Sequence, residues 1–178
     1  MKRLLMPCLC LLATLSAGAA EAPDDSADAR GSSLLLPFKQ QLRAALQAGM
    51  TEGPAAAIRV CRDEAPAIAA SLSTDDVTMG RTSHRLRNPQ NRPPAWAASL
   101  LDRYAVGESS GAATVALDGG LTGYVEPIFV QPVCLACHGD TLAPGVADTL
   151  TRLYPDDAAT GFAPGDFRGL FWVTYPTP

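Results

Sequence analysis

A chain of 178 residues, 47% hydrophobic and 18% charged, has enough apolar material for one core and too little length for two comfortable domains. Its 14 basic and 18 acidic residues give a net charge of −4 at pH 7, and −6 if Lys2 and Arg3 leave with the leader described below, when 12 basic residues face the same 18 acidic ones. That balance argues against nucleic acid as a partner and suits docking to a basic protein.

Lys2 and Arg3 precede an apolar run from Leu4 to Leu15 that ends in Ser16-Ala17-Gly18-Ala19-Ala20. This is the pattern of a secretory signal peptide over residues 1–20, with cleavage near Ala19 or Ala20. The run falls short of the roughly 20 apolar residues of an ordinary membrane span, and no later stretch is apolar enough, so no membrane association is expected after cleavage. A retained N-terminal anchor is the rival reading. Export places the protein in the periplasm and discards Cys8 and Cys10. Cys61, Cys134 and Cys137 then remain in an oxidising compartment, and an odd number cannot all pair internally.

Residues 21–33 are small, polar and without apolar period until Leu34, which predicts a disordered lead-in to a single domain over 34–178. From Leu34 to Gln47 the residues Leu35, Phe38, Leu42, Ala45 and Leu46 recur at helical spacing, with Gly49 as a stop. A second helix starts at Pro54 and carries Ala57, Ile58, Cys61, Ala65, Ile68 and Leu72 on one face, interrupted by Pro66. Residues 77–83 read as a strand, and Arg87-Asn88-Pro89-Gln90-Asn91-Arg92-Pro93 as a turn. A third helix spans 94–104. Residues 114–117 and 121–130, separated by Asp118-Gly119-Gly120, form a β-hairpin. A short helix around Val146, Leu150 and Leu153 and a strand over 167–175 close the chain. Helices gathered early and strands late indicate an α+β domain on an antiparallel sheet.

Cys134-Leu135-Ala136-Cys137-His138 directly follows the hairpin. The C-x-x-C-H spacing sets two thiols about one helical turn apart, matched to the two vinyl groups of one porphyrin, beside an imidazole that reaches the iron. At this composition the motif is expected about 0.0015 times by chance. A thioredoxin-like pair would follow an early strand of a βαβ unit; a zinc site would need Cys61 and a conveniently placed fourth ligand; a plain disulfide is the third rival. Covalent haem c held by Cys134, Cys137 and His138 is the reading that export favours. Iron bound to His138 has one further axial position, for which His84, Met50, Met79, Cys61, Lys39 or nothing are candidates. Arg81, Arg85, Arg87 and Arg92 are either a solvated charge run or partners of the haem propionates.

Ala56-Ala57-Ile58-Arg59-Val60-Cys61, then Gly80-Arg81-Thr82-Ser83, Arg87-Asn88-Pro89-Gln90-Asn91 with Trp96, Cys134-Leu135-Ala136-Cys137-His138-Gly139 and Gly165-Asp166-Phe167-Arg168-Gly169 together resemble a family of exported single-haem c-type domains. The resemblance covers nearly all of residues 34–176. It implies a PAS-like fold, iron held between His138 and Cys61, and a segment bearing Arg81, Ser83, Arg87, Asn88, Pro89, Asn91 and Trp96 packed against the haem. Ala97 stands where the family tends to have an acidic residue. A thiolate from Cys61 would stabilise ferric iron and lower the reduction potential. The expected role is therefore one-electron transfer or redox sensing with a separate redox or signalling partner. Binding of a diatomic gas (NO or CO) is the alternative. No catalytic constellation accompanies the haem beyond His84, so no enzyme is expected.

Overall fold

The computed structural model describes residues 26–177. The signal peptide expected over 1–20 lies outside them. Among the described residues no helix is long and apolar enough to cross a membrane.

Helix α1 (Ala27–Thr51) turns Leu35, Phe38 and Leu42 inward at helical spacing. It begins earlier than the apolar pattern indicates, so residues 27–33 of the expected disordered lead-in are helical. The reason is capping and tertiary contact rather than periodicity. The Ser26 side chain accepts from the Ala29 N–H, Tyr175 Oη donates to the Ala27 carbonyl 2.6 Å away, and the Arg30 guanidinium lies 5.2 Å over the Tyr175 ring. A short connection leads to α2 (Pro54–Leu72), which opens on proline and runs on through Pro66.

Four strands follow: β1 (Thr78–Thr82), β2 (Ala113–Leu117), β3 (Leu121–Phe129) and β4 (Phe167–Pro176). They form one antiparallel sheet in the order β1-β4-β3-β2, with the expected hairpin as β2–β3. The α+β class is as the sequence indicates. The sheet is antiparallel throughout, so the C-x-x-C segment belongs to no βαβ unit of the thioredoxin type.

The two faces of the sheet carry different helices. Tyr124 of β3, Val173 and Tyr175 of β4 and Met79 of β1 pack under α1 and α2. On the other face Val125 and Leu170 meet Leu101 and Tyr104 of α3 (Ala95–Ala105). Alternation along β4 is broken once. Ile128 pairs with Gly169 but Phe129 pairs with Phe167, leaving Arg168 opposite no residue of β3. This extra residue is a β-bulge, which reverses the facing of the side chains beyond it. Phe167 accordingly packs on the α3 face and Arg168 turns to the α1–α2 face. Gly169 makes this possible, because a Cβ there would lie 2.0 Å from the Thr82 carbonyl oxygen.

Candidate functional site

Between α1, α2 and the sheet lies a cavity of about 380 Å³. Leu42, Leu46 and Met50 enter it from α1 at i, i+4, i+8, and Ala57, Ile58 and Cys61 from α2. Ile128 and Phe171 form the sheet wall. Cys134, Cys137 and His138 line the same cavity, so the structure brings Cys61 and the C-x-x-C-H residues to one space.

The motif itself is a 3₁₀ turn (Pro132–Cys134) running into the one-turn helix α4 (Leu135–His138). One helical turn separates Cys134 from Cys137, so their thiols sit side by side along the turn. Cys134 Sγ accepts from the Gln131 N–H at 3.4 Å, and Cys137 Sγ donates to the Pro54 carbonyl at 3.9 Å. Burial raises the Cys137 thiol pKa, against the pull of Arg87. All three cysteines are free thiols, so no disulfide occupies them. Among the described residues no three His, Cys, Asp or Glu side chains converge as zinc ligands do.

His138 is fixed from the side away from the cavity. Its Nδ1 lies 2.6 Å from the Ala159 carbonyl oxygen, which can only accept, so Nδ1 carries the proton and Nε2 keeps its lone pair. Burial, reinforced by Arg87 and Arg168, pushes its pKa down to about 3 and holds the ring neutral. A neutral imidazole with a bonded Nδ1–H is the form in which histidine binds metals.

The loop that supplies Ala159 follows α5 (Pro144–Leu153) and wraps the motif. The Phe162 N–H donates to the His138 carbonyl at 2.9 Å, and the Gly161 N–H to that of Gly139 at 3.1 Å. The Phe162 ring meets the His138 ring edge to face, centroids 6.2 Å apart. Arg87, only 9% exposed, bonds Asp157 at 3.0 Å and donates to the Cys137 and Ala159 carbonyls. Asp157 accepts in turn from the Ala159 N–H. Arg87 and Asp157 therefore clamp the motif to its loop.

Several of the residues expected at the site share one space. Arg81, Ser83, Arg87, Asn88 and Asn91 line the cavity with Cys61 and His138. Asn88 caps the short 3₁₀ turn (Pro89–Asn91), accepting from the Gln90 N–H. Two expected residues are elsewhere. Pro89 lines an adjoining polar cleft with Arg62, Asp63 and Asp156, which shares Arg87, Asn88 and Tyr154 with the cavity. Trp96 lies on the opposite face of the sheet, stacked on Gly123 and edge to face with Trp172, because α3 packs on the even-numbered side chains of β4. Ala97 beside it is fully buried, a position with no room for a carboxylate. Of the candidate iron ligands, Met79 is in the core under α1. His84 is stacked on Phe167, and neither lines the cavity. Cys61, Met50 and Lys39 do, with Lys39 paired to Glu126.

Arg168 is a site residue that alternation would misplace. Gly169 within a strand pattern was the available signal, since such a glycine often marks a bulge. Asp157 acts through its carboxylate, Ala159 through its carbonyl and Phe162 through its ring, all from one loop, and Tyr154 borders the cavity beside Cys61.

No curated protein matches the chain. The crystal structure of the cyanobacterial heme-protein Tll0287 matches with a TM-score of 0.60 at 24% identity, covering 82% of this chain and 94% of that one, a likeness of fold. The sequence matches the Tll0287-like family over residues 23–176, which takes in every element and site residue above: the chain belongs to the Tll0287-like family.

Proposed function

We propose that this protein is an exported, periplasmic c-type haem protein with one covalent haem, working in one-electron transfer or redox sensing with a separate protein partner. The observation that carries the reading is the meeting of Cys61, Cys134, Cys137 and the Nε2 side of a neutral His138 around one largely apolar cavity. The haem-protein relative of the same fold supports it.

The residues present fit the group. The cavity offers apolar walls from α1, α2 and the sheet, a soft sulfur ligand, an imidazole with its lone pair free, and cationic side chains for carboxylates. Cys134 and Cys137 would add their S–H bonds across the two vinyl groups, with no leaving group, and anchor the porphyrin to α4. His138 and Cys61 would take the axial positions. Bound there, haem supplies a one-electron ferric/ferrous couple, and a thiolate ligand lowers its potential relative to His/Met ligation. Ala159 and Phe162 orient the imidazole.

Expression together with haem-maturation machinery tests the reading. The expected product keeps its haem through denaturation and gains the mass of one haem, and Cys134→Ala/Cys137→Ala loses both properties. Protein made under those conditions without covalent haem would overturn the proposal.

A further inference from the structure

Among the described residues, five cationic ones line the cavity, namely Lys39, Arg43, Arg81, Arg87 and Arg168, and no carboxylate does. Three of the five are already accounted for. Lys39 is paired with Glu126, Arg87 with Asp157, and Arg43 is solvent-exposed on α1. Arg81 and Arg168 remain, without an ion pair among the described residues.

Their donors are mostly uncommitted. Arg81 gives one bond, from Nη2 to the Cys61 carbonyl at 3.3 Å. Arg168 hydrogen-bonds only through Nη1, toward Ser83 Oγ at 2.6 Å and the Arg85 carbonyl at 3.4 Å, and its guanidinium lies 5.4 Å over the Phe162 ring, which leaves Nη2 and Nε without an acceptor among the described residues. Ser83 is itself buried and pinned, donating to the Arg168 carbonyl and accepting from the Arg85 N–H. The polar turn does not supply these donors, since Arg85 is taken up by the Ala158 and Thr160 carbonyls and the Phe162 ring.

Both guanidiniums are half-buried, and one partly withdrawn from water without a counter-charge is unfavourable for the fold. Here the fold goes to some length to place one. The bulge at Arg168 turns it away from the α3 face, and Gly169 and Ser83 fix the turn. Bulges that re-aim a side chain are a recurring device beside functional sites. Two such guanidiniums on neighbouring strands, lining the same largely apolar cavity as Cys134 and Cys137, match a flat apolar ligand with two carboxylates on one edge.

Resting on the haem reading, we propose that Arg81 and Arg168 form a carboxylate clamp for the two haem propionates, with Ser83 as the positioning residue that holds Arg168. Arg87, the most buried arginine of the turn, is instead part of the motif's scaffold.

The test compares holoprotein of the wild type, Arg81→Gln, Arg168→Gln, Arg168→Lys and Ser83→Ala. Covalent haem is read after denaturation, propionate bending bands by resonance Raman, and midpoint potential by titration. Each Gln variant is expected to retain covalent haem, shift a propionate band and lower the potential, because the ferric site loses a neighbouring positive charge. Arg168→Lys should recover part of the potential, and Ser83→Ala should move the same band less. If Arg168→Gln does not fold, Arg81→Gln and Ser83→Ala decide. Unmoved propionate bands in haem-loaded variants overturn the clamp, including when the potential alone changes through Cys61. A wild type without covalent haem overturns the functional reading beneath it, which the denaturation step shows separately.

Discussion

The two faces of the sheet are built from the same strands and solve opposite problems. Under α3 the face is closed: Trp96 lies on Gly123 and Trp172 on Gly80, so close that a Cβ at either glycine would come within 2.8 Å of an indole carbon. Val125, Leu170, Leu101 and Tyr104 fill what remains. Under α1 and α2 the same strands leave a cavity of about 380 Å³, edged by thiols, an imidazole and guanidiniums. The face under α1 and α2 is also packed, by Leu35, Phe38, Tyr124, Val173 and Tyr175, so the cavity is a local feature of that face rather than its whole. The polar groups around the open face are organised rather than merely tolerated, since Arg87, Ser83 and His138 all have specific partners.

Changes at the junction of the two faces should cost most. Gly169→Ala forces a Cβ against the Thr82 carbonyl oxygen and is expected to lower unfolding free energy by about 4 kcal/mol, with the bulge and the facing of Arg168 both disturbed. Urea denaturation measures it, and a loss below about 1 kcal/mol would show that the bulge is not locked by glycine. On the open side, Asp157→Ala strands the buried Arg87 charge and releases Ala159; a loss of about 3 kcal/mol is expected, with altered iron ligand-field bands. On the closed side, Trp96→Ala should cost about 3 kcal/mol, the low end for tryptophan because the ring is part-exposed, and leave the haem absorption spectrum unchanged. A spectral change without a stability change would return Trp96 to the haem site. Phe162→Leu, which keeps an apolar side chain but removes the ring, should cost about 1.5 kcal/mol and yet shift the ferric EPR signal by loosening the His138 ring.

The same comparison shows what the sequence discloses. The closed-face helix, the hairpin and the final strand are legible because their signals are local: helical spacing, a Gly-Gly turn, alternation. The C-x-x-C-H motif is legible for the same reason, with all its reactive atoms inside five residues. Trp96, expected beside the haem, packs on the α3 face of the sheet away from the cavity, because which face a helix covers depends on connections far from it in sequence. Arg168 carries no mark of its own, since one extra residue in β4 inverts the alternation that would place it. Residues 27–33 lack apolar period yet are helical, held by Ser26, Tyr175 and Arg30 contacts that exist only in the folded state. Ala159 serves through its carbonyl oxygen, and no side-chain pattern could disclose that.

The central claim is that the open face is a haem site bounded by His138 on one side and Cys61 on the other. EPR and absorption spectra of ferric holoprotein, recorded beside Cys61→Ala, test it most directly. The account predicts a low-spin thiolate-type signal in the wild type that is lost in the variant, while covalent haem remains in both. An identical low-spin signal in the two proteins would contradict it.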